Sequence, residues 1–225
     1  FMVSHFKKVL TSSIVKKQLM GVTGLLLCGF LLSHMLGNCL MYLGPEAFNT
    51  YAYTLTSNKL IYVAEAGLLA IFFTHLGLAI RLTIENNIAR PVKYYMKQNS
   101  GRGSNFASST MPYTGLIVLI FIVLHLINFK YGPYYTQAYN NVEMRDLYRV
   151  MIEHFASPLN VLWYIFAVLS LGIHVSHGFW SAFQSIGFNH PKYNCILKCT
   201  SKAFAIFITL GFSAMPIYCF LQGGH

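Results

Sequence analysis

Charge is what this sequence has least of. Asp, Glu, Lys and Arg make up only 10% of its 225 residues, against roughly 25% in a soluble domain. That deficit excludes water as the solvent for most of the surface. Acid is scarcer still, with 6 Asp and Glu against 16 Lys and Arg, a net charge of +10. In a soluble protein such a balance would point to nucleic acid. Here the cations sit at the ends of apolar blocks and in two loops, where membrane topology requires them, so no nucleic-acid partner is expected. No Cys-x-x-Cys-His occurs, which excludes covalent c-type haem attachment. No repeat or low-complexity segment stands out. Nor is there the inverted pair of broken helices that marks many transporters. The first apolar block is too long for a signal-peptide core and lacks a small-residue cleavage site, so no cleavable signal is expected.

Apolar sequence takes the place of charge: 55% of residues are hydrophobic, in runs long enough to cross a bilayer. They predict a single all-α membrane domain over residues 1–225, a bundle of five transmembrane helices. The expected spans are about 18–43, 60–84, 112–131, 157–183 and 202–221. Gly44-Pro45, Gly132-Pro133 and Ser157-Pro158 punctuate their ends. Twelve of the 16 basic residues fall on one side of this layout. They are Lys7, Lys8, Lys16 and Lys17, then Arg81, Arg90, Lys93, Lys97 and Arg102, then Lys192, Lys198 and Lys202. Only Lys59, Lys130, Arg145 and Arg149 face the other way. The positive-inside rule therefore predicts a cytoplasmic N-terminus and a C-terminus outside. Residues 134–155 read as an outer-face loop with a short interfacial helix. Of the cysteines, Cys28, Cys39 and Cys219 lie in apolar blocks as small hydrophobes. Cys195 and Cys199 are expected in a short loop.

Histidine is unusually common, at 9 residues. His5, His154, His190 and His225 fall in arms or loops. His34, His75, His125, His174 and His177 fall within spans, where an imidazole is costly unless paired or ligated. At 1.5 Å rise per residue, His34 and His125 lie roughly 9–14 Å below the outer side, and His75 and His177 roughly 22–30 Å below it. Two pairs at two depths suit two bis-histidine haems, whose iron takes neutral imidazole on both axial faces. A zinc ion would need its ligands gathered around one point. His177 is preferred to His174 because its depth matches His75 better and Gly178 beside it leaves room for a macrocycle. His174 is then a hydrogen-bond donor nearby. Candidates for the haem propionates are Lys16, Lys17, Arg81 and Ser181 at the inner end. Arg81 leads, because a guanidinium matches carboxylate geometry. Glu65, about one turn inside the outer end of its span, is the candidate proton acceptor for a quinone.

Four strings carry a family resemblance: TGLLLCGFLLSHM in the first span, THLGLAIR in the second, LHLINF in the third and HVSHGFWSAFQSIG in the fourth. With the span layout, they resemble the single-chain di-haem cytochrome b membrane anchor of bacterial succinate dehydrogenases and quinol:fumarate reductases. The resemblance implies two haems b, the inner ligated by His75 and His177 and the outer by His34 and His125. It implies a cytoplasmic iron–sulfur subunit and a flavoprotein with covalent FAD, which interconverts succinate and fumarate. The anchor would exchange electrons with menaquinone or another quinone in the bacterial inner membrane. Dicarboxylate chemistry would lie on the partner, since this chain offers no nucleophile or acid–base pair for it. Some members carry a glutamate two residues before the fourth ligand, linked to proton passage, where this sequence has Val175. The alternatives are a di-haem anchor of a hydrogenase, formate dehydrogenase or nitrate reductase, and a haem-free proton-coupled transporter.

Overall fold

The computed structural model describes residues 12–89 and 106–223. His5, His225, Lys7, Lys8, Arg90, Lys93, Lys97 and Arg102 lie outside the described residues. Helix α1 (Ser13–Asn38) runs into a 3-10 turn, Cys39–Leu43, and is followed by α2 (Pro45–Ser57) and α3 (Leu60–Ile88). Helix α4 (Phe106–His125) passes into a π turn, Leu126–Lys130. A hairpin of β1 (Thr136–Tyr139) and β2 (Val142–Arg145) leads to α5 (Leu147–Phe155), and then come α6 (Pro158–Ser185) and α7 (Pro191–Gly223). Five of these helices, α1, α3, α4, α6 and α7, are long and apolar enough to span a membrane. The protein is an all-α membrane bundle, as its composition predicts.

Several boundaries move. The second span reaches Ile88, the third begins at Phe106, and the fifth begins at Pro191 instead of near residue 202. Cys195 and Cys199 are therefore corrected from a loop to the first turns of α7, exposed and free. The physical reason is that a helix needs only its own backbone bonds to continue. Lys192, Lys198 and Lys202 end the apolar pattern without ending the helix. Lys198 lies over the Trp180 ring at 5.2 Å, which fixes that polar extension against α6.

The side of the bundle expected to face outward carries more structure than the expected loop and helix. Gly44, at φ +100°, turns the chain into α2, which opens with Pro45 and Glu46, a proline preset for the first turn and an acid on the positive end of the dipole. The hairpin turns on Asn140 and Asn141, both with positive φ, the backbone of a type I′ turn whose twist matches its strands. Asn49 of α2 is fully buried and binds Asp146 Oδ1 at 2.8 Å, while accepting the Tyr148 N–H at 2.9 Å. Asp146 in turn caps α5 by accepting from the Arg149 N–H. One asparagine thus ties α2 to the start of α5. Phe155, Val150 and Met151 of α5 then bury their side chains where α5 meets α7.

Helix packing is uneven, and that shapes the site. Helix α6 packs along α1, α4 and α7, and Gly172 of α6 lets α7 come so close that a Cβ there would strike Thr209. Small residues of this kind drive helix association in lipid, where apolar burial contributes little. By contrast, α3 packs mainly on α1 and buries none of its residues. Among the described residues α1 has no extensive contact with α4, nor α3 with α6. Those two diagonals are where the histidines face each other.

Candidate functional site

At the level expected to be outer, His34 of α1 and His125 of α4 bring their ring centres to 5.8 Å, edge to face. With a metal–nitrogen bond of about 2.0 Å on each side, axial imidazoles on one iron hold their centres roughly 6 Å apart. His125 Nδ1 is buried with no hydrogen-bond partner, a costly state for a polar atom unless a ligand completes it. Aromatic rings close around the pair. Phe30 stacks on His34 at 5.3 Å, Phe121 lies 5.5 Å from His125, and Phe129 lies 5.3 Å from it. Phe212 of α7 and Tyr164 of α6 complete the ring. The backbone changes from α to π immediately after His125, a distortion often found at functional sites.

At the level expected to be inner, His75 and both histidines of α6 come into play. His174 interacts electrostatically with both His75 and His177. Its Nδ1 lies 3.2 Å from Thr114 Oγ1 on α4. His75 Nδ1 lies 3.1 Å from Thr23 Oγ1 on α1 in the same manner. Each ring also rests on a glycine: the Cβ that Gly24 lacks would sit 3.4 Å from His75 Cε1, and that of Gly115 3.4 Å from His174 Cε1. His177 has no such seat. It is half-buried on the same face, three residues further along α6.

These seats expose a repeat that does not stand out on a first pass along the sequence, which corrects the expectation of none. Residues 20–34 and 111–125 share Met-x-x-Thr-Gly-Leu, then Phe, then His at the same spacing. Met20, Thr23, Gly24, Leu25, Phe30 and His34 recur as Met111, Thr114, Gly115, Leu116, Phe121 and His125. Thr and His are 11 residues apart in both copies, so each helix carries a histidine at one level and a histidine-seating threonine about 16 Å away at the other. Among the described residues no cluster of three or more His, Cys, Asp or Glu converges on one point. Two separate pairs suit an iron held axially by imidazoles better than a tetrahedral metal.

Two of the three cations expected at the inner end, Lys16 and Arg81, share one partner. Lys16 is only 5% exposed and reaches Glu85 of α3 at 2.5 Å, while Arg81 Nε binds the same carboxylate at 3.0 Å. Glu85, which the sequence reading passed over, joins α1 to α3 at this end. Lys17 is exposed, and the Ser181 hydroxyl donates to the Gly178 carbonyl at 3.1 Å. At the outer end Glu65 is ion-paired with Lys130, linking α3 to the end of the π turn. Beside that turn is a cleft of about 310 Å³ lined by Asn128, Pro133, Val150, Glu153, His154 and Asn160. Asn128 donates to the Tyr164 hydroxyl at 3.3 Å, and Asn160 donates to the His154 carbonyl at 2.8 Å. Burial pushes the His154 imidazole below its ordinary value. Arg149 beside Glu153 holds that carboxyl below the usual range.

No family model matches the chain, and no solved structure matches it. It is similar to the succinate dehydrogenase cytochrome b558 subunit of Bacillus subtilis (strain 168), with 28% identity over 155 residues that cover 68% of this chain and 69% of that protein. The five spans and this similarity together make the chain a multi-pass membrane protein distantly related to the cytochrome b subunits of succinate dehydrogenases.

Proposed function

We propose that this protein is the membrane anchor and electron-transfer subunit of a succinate dehydrogenase or fumarate reductase complex. It would pass electrons between a membrane quinone and an iron–sulfur subunit through two bis-histidine haems b. The observation that carries the reading is the pairing of intramembrane histidines at two levels, on helices whose diagonals are left open. A haem with two imidazole ligands supplies one-electron transfer and binds oxygen poorly. His34 and His125 would hold the outer haem. For the inner haem the seats at Thr23 and Thr114 favour His75 and His174 over His177. With His174 in that role, the position two residues before it is Gly172, so the glutamate that some relatives carry is still missing.

Around the ligands, Lys16, Lys17, Arg81 and Ser181 are the candidates for the inner propionates, with Lys16 and Arg81 already sharing the Glu85 carboxylate. The cleft at Asn128 and His154 suits a quinone head group, because it offers polar atoms within three residues of His125 along the chain. Menaquinone or a similar quinone is the expected substrate. Glu65 would serve as its proton partner only by releasing Lys130. The flavoprotein with FAD and the iron–sulfur subunit would bind on the cytoplasmic face. The N-terminus would lie on that face and the C-terminus outside the bacterial inner membrane.

The test is a reduced-minus-oxidised pyridine haemochrome spectrum of the purified complex, scaled to this chain, together with in-gel flavin fluorescence. About two haems b per chain and a copurifying covalent flavoprotein are expected. Absence of haem would overturn the cytochrome reading. Two haems without the flavoprotein would assign the anchor to another respiratory enzyme.

A further inference from the structure

The repeated Met-x-x-Thr-Gly segment does more than pack. A threonine hydroxyl has one proton. In Thr23 that proton goes to its own helix, to the Leu19 carbonyl at 2.8 Å, with the Met20 carbonyl at 3.1 Å. Thr114 behaves alike, toward the Thr110 carbonyl at 3.1 Å and the Met111 carbonyl at 3.2 Å. With the proton committed, the oxygen faces His75 or His174 as an acceptor. Nδ1 of each ring must then carry the hydrogen, which leaves the Nε2 lone pair as the ligating atom. The outer rings have nothing equivalent. His125 Nδ1 has no partner, and His34 meets only the Asn38 amide at 3.4 Å.

We propose that Thr23 and Thr114 are positioning residues for the inner haem. Each accepts the Nδ1–H of its histidine, fixes the tautomer and raises the basicity of the ligating Nε2. This rests on the haem reading above and on His174 as the ligand. An acceptor on the distal nitrogen strengthens a metal-bound imidazole as a donor, and a stronger donor stabilises ferric over ferrous iron. Both ligands of one haem are held this way, each by a helix that supplies a ligand to the other haem.

The experiment is a redox titration of the haems in the purified complex, for the wild type, T23V, T114V, the double variant, and T23S and T114S. Two one-electron components are expected in the wild type. In each valine variant the same single component should move to higher potential, by roughly a threefold to tenfold change in the reduced-to-oxidised ratio at fixed ambient potential. That corresponds to as much as about 59 mV for one electron. The double variant should move further, and the serine variants should return to the wild-type value, with about two haems retained throughout. Loss of that one haem in a valine variant, with the serine variant intact, also supports the proposal. Unchanged components, movement of both, or movement of different components by T23V and T114V would overturn it. Loss of assembly in both valine variants would make the hydroxyls structural and would also overturn it. If the wild type itself holds no haem, the functional reading fails and not this inference alone.

Discussion

The two histidine pairs solve the problem of an imidazole in hydrocarbon by different means. At the inner level each ring meets a threonine hydroxyl through Nδ1 and rests on a glycine. At the outer level the rings stand in an aromatic cage of Phe30, Phe121, Phe129, Tyr164 and Phe212, and one ring nitrogen is unpaired. Hydrogen bonds orient an imidazole and tune it, whereas aromatic packing orients it and leaves its electronics to the surrounding dielectric. The outer pair also adjoins a polar cleft, while the inner pair adjoins a Lys16–Glu85–Arg81 cluster. One level is built next to an opening, and the other lies toward an ion-pair cluster of which only the lysine is buried.

Removing ligands breaks this comparison most directly. His34→Ala or His125→Ala should take haem content from about two to about one and spare the inner centre. His75→Ala or His174→Ala should do the reverse. His177→Ala should retain both haems, and its loss of the inner haem with His174→Ala intact would return the assignment to His177. Haemochrome stoichiometry with low-temperature spectra reads all five variants. Next in size is Asn128→Ala, which removes the donor that holds the Tyr164 hydroxyl beside the cleft. We expect quinone-linked turnover to fall by roughly tenfold, on the scale of second-shell losses, with haem content unchanged. Equal turnover would move the quinone elsewhere.

At the inner end, Glu85→Ala would strand the buried Lys16 cation. Uncompensated buried charge is strongly destabilising, and in a chain of this size each kcal/mol lowers the melting temperature by roughly 2–4 °C. A thermal melt of the complex should show the drop, and Lys16→Met combined with Glu85→Ala should recover most of it. The smallest expected effect is on pH dependence at the cleft. Burial holds His154 below its ordinary value of 6.5. As the pH falls below that value the unfolded chain takes up the proton first, so stability declines until the folded-state value is passed. Above that range His154 contributes no slope. His154→Gln should flatten the melting temperature between neutral and mildly acid pH relative to the parent.

Much of this architecture was legible without coordinates. Five spans follow from run length, since about 20 apolar residues are needed to cross the hydrocarbon whatever their arrangement. The sorting of histidines into two depths follows from helical rise alone, and the structure brings His34 and His125 together. Choosing between His174 and His177 did not follow. They differ by only about 4.5 Å in height and by about 60° around the helix, and which one faces the diagonal depends on how α6 is rotated against α4 and α7. The repeat was visible in principle, since Thr23 and Thr114 each precede a histidine by 11 residues. Apolar helices mask such a signal because most of their positions carry interchangeable aliphatic residues.

Composition and rise per residue therefore determined the solvent, the number of spans and the levels at which the histidines sit, because these depend on properties that add along a chain. Rotation, partner choice and caps were decided only by tertiary structure. Lys16 finds Glu85 across 69 positions, Asn49 finds Asp146 across 97, and each inner histidine finds a threonine on another helix. Such contacts depend on which faces meet when the helices pack, and lipid, equally apolar on every side, leaves that choice to close packing and to the few polar groups that must be satisfied.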